Sequence, residues 1–135
     1  MTAKKLKTVK VEKSDYKIYL KKMTDFYNAM INANKSGNWT AVGLNAVHCA
    51  ISGCDAMLTF HLGIRSSGED HMQAGDLLLR IPRKDVNSET SAFKRIIAKK
   101  NLIAYENREF RQVEALEILK LTERFYSWIT SNLPT

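Results

Sequence analysis

The chain has 135 residues, 44% of them hydrophobic and 26% charged, a composition typical of one soluble globular domain and not of a disordered or fibrous protein. It has no unbroken run of about 18 apolar residues, and its first residues, MTAKKLKTVK, carry charge with no apolar segment behind them. We therefore expect a soluble, unexported, cytoplasmic protein that does not enter a membrane.

The net charge of +7 is concentrated in two stretches. The first 22 residues hold eight lysines against Glu12 and Asp15, and a second basic stretch runs over residues 80–100. Either stretch can hold phosphates, and either is equally explained as a solvated surface that keeps the protein soluble. We predict that residues 1–13 form a basic N-terminal arm and that residues 14–135 form a single helical-bundle domain.

The first half of the domain has the apolar period of two long helices. Tyrosine, leucine, methionine and phenylalanine side chains recur at three- and four-residue steps between positions 16 and 30, which predicts a helix that starts at Ser14 or Asp15 and stops at Gly37. Asn38 can cap a second helix that continues to Gly63.

Glycine and cysteine residues lie inside the predicted second helix. The apolar period runs through Gly43 and Gly53 without losing phase, so we predict that other helices approach closely at these two positions. Cys49 and Cys54 are five residues apart, which places their side chains on different faces of a helix and does not suit a disulfide. We interpret both as buried or half-buried free thiols in a reducing compartment.

The second half predicts three more helices. The third begins at Ser66 or Ser67 and ends at Pro82, the fourth runs from Ser88 to Ala104, and a turn at ENRE leads to a fifth that ends before Pro134. The one stretch with strand-like alternation is KTVKVEK in the N-terminal arm. Short connections between amphipathic helices predict an all-α, up-and-down bundle of about five helices.

Lys100 occupies an unusual place in this pattern. It falls near the middle of the apolar arc of the fourth helix, so its ammonium must extend outward, meet another subunit or find a carboxylate. Asp55 lies at the border of the apolar stripe of the second helix. We predict an ion pair between Asp55 and Lys100, whose role is either to fix the register of two helices or to form part of a site.

The histidines do not indicate a metal centre. His48, His61 and His71 share no ligand spacing such as i, i+4, and a zinc site needs three or four converging donors. We therefore predict no metal and no cofactor, and we interpret His61 as a packed, hydrogen-bonded ring. The sequence also lacks a glycine-rich phosphate loop, a serine nucleophile elbow and a basic strand with stacking aromatic residues.

The stretch KKNLIAYENREF resembles the late motif of HEPN (higher eukaryotes and prokaryotes nucleotide-binding) domains, in which Arg-Asn-x-x-x-His is followed by a turn and a final long helix. The matching positions are Lys100, Asn101 and Tyr105. Upstream, CDAMLTFHLGIRSSGEDHMQAGDLL resembles a bacterial branch of the same superfamily, with an Asp-bearing second helix, an Arg-Ser turn and an Asp-His start to the third helix. The resemblance covers residues 15–133.

This resemblance implies an all-helical, HEPN-like domain that dimerises and binds a nucleotide or RNA, as part of a toxin-antitoxin or defence pair with a nucleotidyltransferase partner. Trp39 and Trp128 are candidates for an apolar contact between subunits of the homodimer. Lysine in place of arginine loses the planar fork that grips a phosphate. Tyrosine in place of histidine, with a pKa near 10, is a poor general base. We therefore expect a binding or assembly module without robust ribonuclease activity.

Arg65 and His71 have the spacing of a ribonuclease motif, but they lie between the second and third helices and not before the last one. We interpret them as structural, with Arg65 pairing with Glu69 or Asp70 or closing over the end of the second helix. The folded bundle can nevertheless bring several polar side chains together near one end. The predicted ligand-binding residues are Asp55, Arg65, His71, Lys100, Asn101 and Tyr105. The alternative is a metal-independent ribonuclease that uses Lys100, Tyr105 and His71 as catalytic residues.

Overall fold

The computed structural model describes residues 6–134, and most of this range is helical. The described chain contains two short strands and six α-helices: β1 (Thr8–Lys10), α1 (Tyr16–Lys35), α2 (Trp39–Leu62), β2 (Ile64–Ser66), α3 (His71–Leu78), α4 (Val86–Ala98), α5 (Lys100–Tyr105) and α6 (Gln112–Ser131). Five helices of eight or more residues form the bundle, and α5 is a short addition to α4. The prediction of an all-α bundle of about five helices is confirmed.

The helix α2 is the centre of the bundle and contacts each of the other helices. Its apolar residues are buried along most of its length, from Val42 to Leu58. By length and composition α2 could cross a membrane, but 67% of its most apolar window is buried inside the bundle. This burial is that of a helix at the core of a bundle.

The two glycines inside α2 are positions of close helix contact, as predicted. A Cβ on Gly43 would lie 2.8 Å from Ile103 Cδ1 and 2.9 Å from Phe110 Cε2. A Cβ on Gly53 would lie 2.9 Å from Met23 Sδ. The chain around α5 therefore approaches α2 at Gly43, and α1 approaches it at Gly53.

The segment after α2 differs from the prediction of a helix beginning at Ser66 or Ser67. Residues 64–66 instead form β2, which pairs antiparallel with β1 and places Val9 opposite Arg65. Gly63 ends α2 with a φ of 64°, a left-handed conformation that suits glycine and lets the chain reverse. The strand pair joins the described part of the basic arm to the bundle; Lys4 and Lys5 of that arm lie outside the described residues.

The third helix begins at His71, later than predicted. Asp70 caps it, because its carboxylate accepts a hydrogen bond of 2.9 Å from the backbone N–H of Met72. The predicted position of His71 in the first turn of this helix is confirmed.

The predicted fourth helix is interrupted at Lys99. The N–H of Lys99 bonds to the carbonyl of Ile96, three residues back, at 3.1 Å, so the last turn of α4 tightens before α5 starts. Ala104, predicted to lie on the apolar face, is exposed, whereas Ile103 is buried. Lys100 is half-buried at the start of α5. A rotation counted along one continuous helix therefore gives Ile103 its buried position but not Ala104.

Trp128 is not available for a contact between subunits, contrary to expectation. Its side chain is 8% exposed, and its indole N–H donates a hydrogen bond of 2.9 Å to the carbonyl of Lys84. Trp39 is half-buried and packs against the core. Both tryptophans thus stabilise the monomer, and the homodimer stays a prediction.

Candidate functional site

Asp55 and Arg65 face each other where β2 folds back along α2. The distance between Arg65 Nη2 and Asp55 Oδ2 is 3.7 Å, which is longer than a hydrogen bond. The guanidinium lies over the ring of Tyr19 on α1, 4.7 Å from its centroid. Burial raises the pKa of the Asp55 carboxyl above its ordinary value, and the charges of Arg65 and Lys22 partly oppose this shift. The pair is a loose, partly desolvated contact among three elements.

The predicted ion pair between Asp55 and Lys100 is wrong. Among the described residues the carboxylate of Asp55 has Arg65 as its ion-pair partner, because β2 returns the chain to α2. Of the alternatives considered for Arg65, pairing with Glu69 or Asp70 is not observed. Arg65 instead lies against the C-terminal half of α2.

A cavity of about 140 Å³ opens beside this pair. Its polar lining comes from Asp55, Arg65, Ser66 and His71, and its apolar lining includes Phe93. Two side-chain atoms of these residues, Arg65 Nε and Ser66 Oγ, are buried and have no hydrogen-bond partner among the described residues. Most buried polar groups in native proteins are satisfied, so these two atoms are exceptions beside the cavity.

A second, more open groove of about 280 Å³ lies on the other side of His71. Lys100 and Asn101 line it from the start of α5, and Glu69, Asp70 and His71 line it from the start of α3. Within residues 6–134 the ammonium of Lys100 has no carboxylate within ion-pair distance. The groove therefore holds a cation free to bind an anionic ligand next to two carboxylates that can accept hydrogen bonds.

His71 is the side chain shared by the cavity and the groove. Burial lowers its pKa below the ordinary value, the positive charge of Lys100 lowers it further, and Asp70 opposes the shift. His71 is therefore mostly neutral at neutral pH and can donate one hydrogen bond and accept another.

Five of the six predicted ligand-binding residues lie around these two adjoining openings. Asp55, Arg65 and His71 line the cavity, and His71, Lys100 and Asn101 line the groove. Tyr105 lines neither of them and is 78% exposed at the end of α5. Tyr105 lies in the exposed last turn of α5, away from both openings.

The remaining histidines are accounted for by packing. The ring of His61 contacts the carbonyl of Asn132, with 2.9 Å between Nε2 and the oxygen, as expected of a hydrogen-bonded ring. The ring of His48 stacks on Phe26 with 5.2 Å between centroids. In the part of the chain that the structure describes, no three His, Cys, Asp or Glu side chains are grouped as metal ligands.

The cysteines are buried free thiols, as predicted. Burial raises the pKa of Cys49 to about 12 and that of Cys54 well above its ordinary value. Both thiols are therefore protonated and unreactive at neutral pH.

Several residues at the site were not found from the sequence. The apolar period of the sequence predicts only core packing for Tyr19 in α1 and Phe93 in α4, whereas Tyr19 lies against Arg65 and Phe93 lines the cavity. The sequence predicts a helix start at Ser66 or Ser67, whereas Ser66 belongs to β2. The pairing of β1 with β2, which brings Arg65 and Ser66 over α2, has only three residues in each strand and a weak sequence signal.

The chain matches no protein-family model, no curated protein and no solved structure. The resemblance to HEPN domains therefore stays a prediction carried by the motifs of the sequence.

Proposed function

We propose that the chain is a HEPN-like binding module that holds the phosphate of a nucleotide, or of an RNA nucleotide, in the groove between the starts of α3 and α5. The observation that carries the proposal is the placement of Lys100, Asn101 and His71 around one groove, with Lys100 unpaired within the described chain. Lysine binds phosphate as a point charge, and the amide of Asn101 and the neutral ring of His71 add hydrogen-bond donors.

The carboxylates of the groove favour a nucleotide over a long polyanion. Glu69 and Asp70 lie opposite Lys100, and Asp70 already accepts the N–H of Met72. A row of phosphates would be repelled by them, whereas a single nucleotide offers a phosphate for Lys100 and ribose hydroxyl groups for the carboxylates.

The broader biological setting follows from the family resemblance alone. It supports a cytoplasmic homodimer that works with a nucleotidyltransferase partner in a toxin-antitoxin or defence pair. These assignments belong to the same proposal.

Titration of the full chain with ribose 5-phosphate tests the groove. The change Lys100→Ala should weaken binding about ten-fold or more, as expected for the loss of a charged hydrogen bond. Lys120→Ala is the matched control, because Lys120 is exposed on α6 away from the groove. Equal affinities of the wild type and Lys100→Ala, or weakening only by the double change of Lys7 and Lys10 to alanine in the arm, would contradict the proposal.

The alternative function is a metal-independent ribonuclease, and one observation favours it. His71 is neutral at neutral pH and lies near enough to Lys100 for that charge to lower its pKa, as a general base beside a phosphate ligand would. The exposed Tyr105 leaves this pair without the third predicted group. Cleavage of single-stranded or transfer RNA by the wild type that disappears in both Lys100→Ala and His71→Ala would replace the binding module with the enzyme.

A further inference from the structure

The cavity between α2, β2 and α3 has unused hydrogen-bonding capacity. The side chain of Arg65 makes no hydrogen bond within 3.5 Å to another described residue, and its Nε is buried. Ser66 Oγ is also buried without a partner. Asp55 meets Arg65 only at 3.7 Å, so its carboxylate oxygens keep their capacity to accept. A guanidinium donor and a two-oxygen acceptor therefore border one space.

The orphaned atoms extend beyond the cavity lining. Gln73 Oε1 is buried without a partner among the described residues, and it lies 3.0 Å from the position of a Cβ on Gly68, a residue that lines the cavity. Ser66 Oγ lies 3.8 Å from that same position. Two of the unpartnered atoms therefore lie near Gly68.

The size and the apolar lining of the cavity limit its occupant. A volume of 140 Å³ equals the share of roughly four or five water molecules at about 30 Å³ each, which is room for one small ring system and not for a whole nucleotide. Ile51, Ala74 and Phe93 are its apolar lining, although Phe93 itself is fully buried. Apolar lining beside a carboxylate and a guanidinium is a surrounding that can hold an unstacked base.

We propose that this cavity is the base subsite of the nucleotide site and that it prefers guanine, with Asp55 accepting the N1–H and N2–H donors of the base and Arg65 donating to O6. Adenine presents an acceptor at N1 where guanine presents a donor, so it can offer the carboxylate only one N–H. The inference rests on the proposed function in one respect: His71 borders both openings, so a base in the cavity and a phosphate in the groove can belong to one ligand.

The experiment is calorimetric titration of the full chain with four separate probes: guanosine, adenosine, guanosine 5′-monophosphate and ribose 5-phosphate. Guanosine should bind at least about ten-fold more tightly than adenosine, which is the discrimination that one bidentate contact provides. The monophosphate should bind more tightly than guanosine. Equal affinity for guanosine and adenosine, or binding of neither, overturns the base subsite.

Two variants test the cavity itself. Ala74→Leu fills it from α3, where Ala74 is 5% exposed, and should remove guanosine binding while ribose 5-phosphate binds as before. Asp55→Asn keeps the shape of the side chain and replaces one acceptor by a donor, so the preference for guanosine over adenosine should disappear. Asp76→Asn is the control, because Asp76 is paired with Lys94 on the far side of α3 and should keep the preference. Retention of the guanosine preference in Asp55→Asn would overturn the assignment even if Ala74→Leu does not fold.

The two proposals fail separately. If ribose 5-phosphate binds and depends on Lys100 while guanosine does not bind, the groove stands and the base subsite is wrong. If guanosine binds with the expected preference while Lys100→Ala changes the affinity for no phosphorylated probe, the cavity stands and the phosphate groove is wrong.

Discussion

The substitution Asp55→Asn should leave the stability of the fold nearly unchanged or slightly increased. Two unit charges 3.7 Å apart attract by about 1.1 kcal/mol in water and about 4.5 kcal/mol at an effective dielectric constant of about 20. Against this, taking a charged side chain out of water costs several kcal/mol, and the Asp55 side chain is only 15% exposed. The raised pKa of Asp55 shows that the cost of burial exceeds the attraction of Arg65.

Urea denaturation followed by circular dichroism measures this effect. We expect the free energy of unfolding of Asp55→Asn at pH 7 to lie within about 1 kcal/mol of the wild type, on the stabilised side, since Arg65 keeps its contact with Tyr19 and reaches water. Asp70→Ala is the reference variant for comparison, because the loss of this helix cap should lower the unfolding free energy by about 1 kcal/mol.

The pH dependence of the unfolding free energy is a second test of whether the ionised Asp55 carboxylate destabilises the fold. The folded-state pKa of Asp55 is raised, so ionisation of its carboxyl lowers stability as the pH rises through that folded value. The advantage of Asp55→Asn should therefore be largest at neutral pH and shrink as the pH falls from the raised pKa toward about 3.9, the unfolded value. A loss of about 3–5 kcal/mol at pH 7, as for a broken structural ion pair, would refute the reasoning.

Two further predictions concern the stability of the helices α2 and α6. Gly43→Ala should lower the unfolding free energy by roughly 1 kcal/mol. Overpacking against Ile103 and Phe110 costs about 1–3 kcal/mol, and the higher helix propensity of alanine returns about 1 kcal/mol. An increased urea midpoint would contradict this, because it would show that the neighbouring side chains move aside freely. Glu114 has its pKa lowered to about 2 by the Arg108 guanidinium and a backbone N–H at the start of α6. Its stabilising contribution is present above about pH 4.5 and lost between about pH 4.5 and 2, so Glu114→Gln should flatten the stability profile in that range, and an unchanged acid transition would contradict this.

The long helices could be predicted from the sequence because apolar period and stop signals agree. The predicted limits of α2 at Asn38 and Gly63 match the observed helix, Trp39–Leu62, and the close contacts at Gly43 and Gly53 follow from an uninterrupted period. These features depend on local pattern, which a single sequence carries.

The site could be predicted only in part because it depends on contacts between distant segments. The short strand pair that turns Arg65 toward Asp55 joins residues more than fifty positions apart and has no strong local signal. The interruption at Lys99 likewise divides the predicted fourth helix in two, and Lys100 lies half-buried at the start of the second piece. Hence five of the residues around the two openings could be predicted from the sequence, but the predicted ion-pair partner of Asp55 was wrong.

Mapping of amide chemical shifts in the isotopically labelled chain during titration with guanosine 5′-monophosphate tests the central claim most directly. We expect the perturbed amides to cluster at residues 65–74 and 97–101, around the cavity and the groove, and the changes in the second range to disappear in Lys100→Ala. Perturbations confined to the lysine-rich residues 7–22, with none at the starts of α3 and α5, would contradict the account.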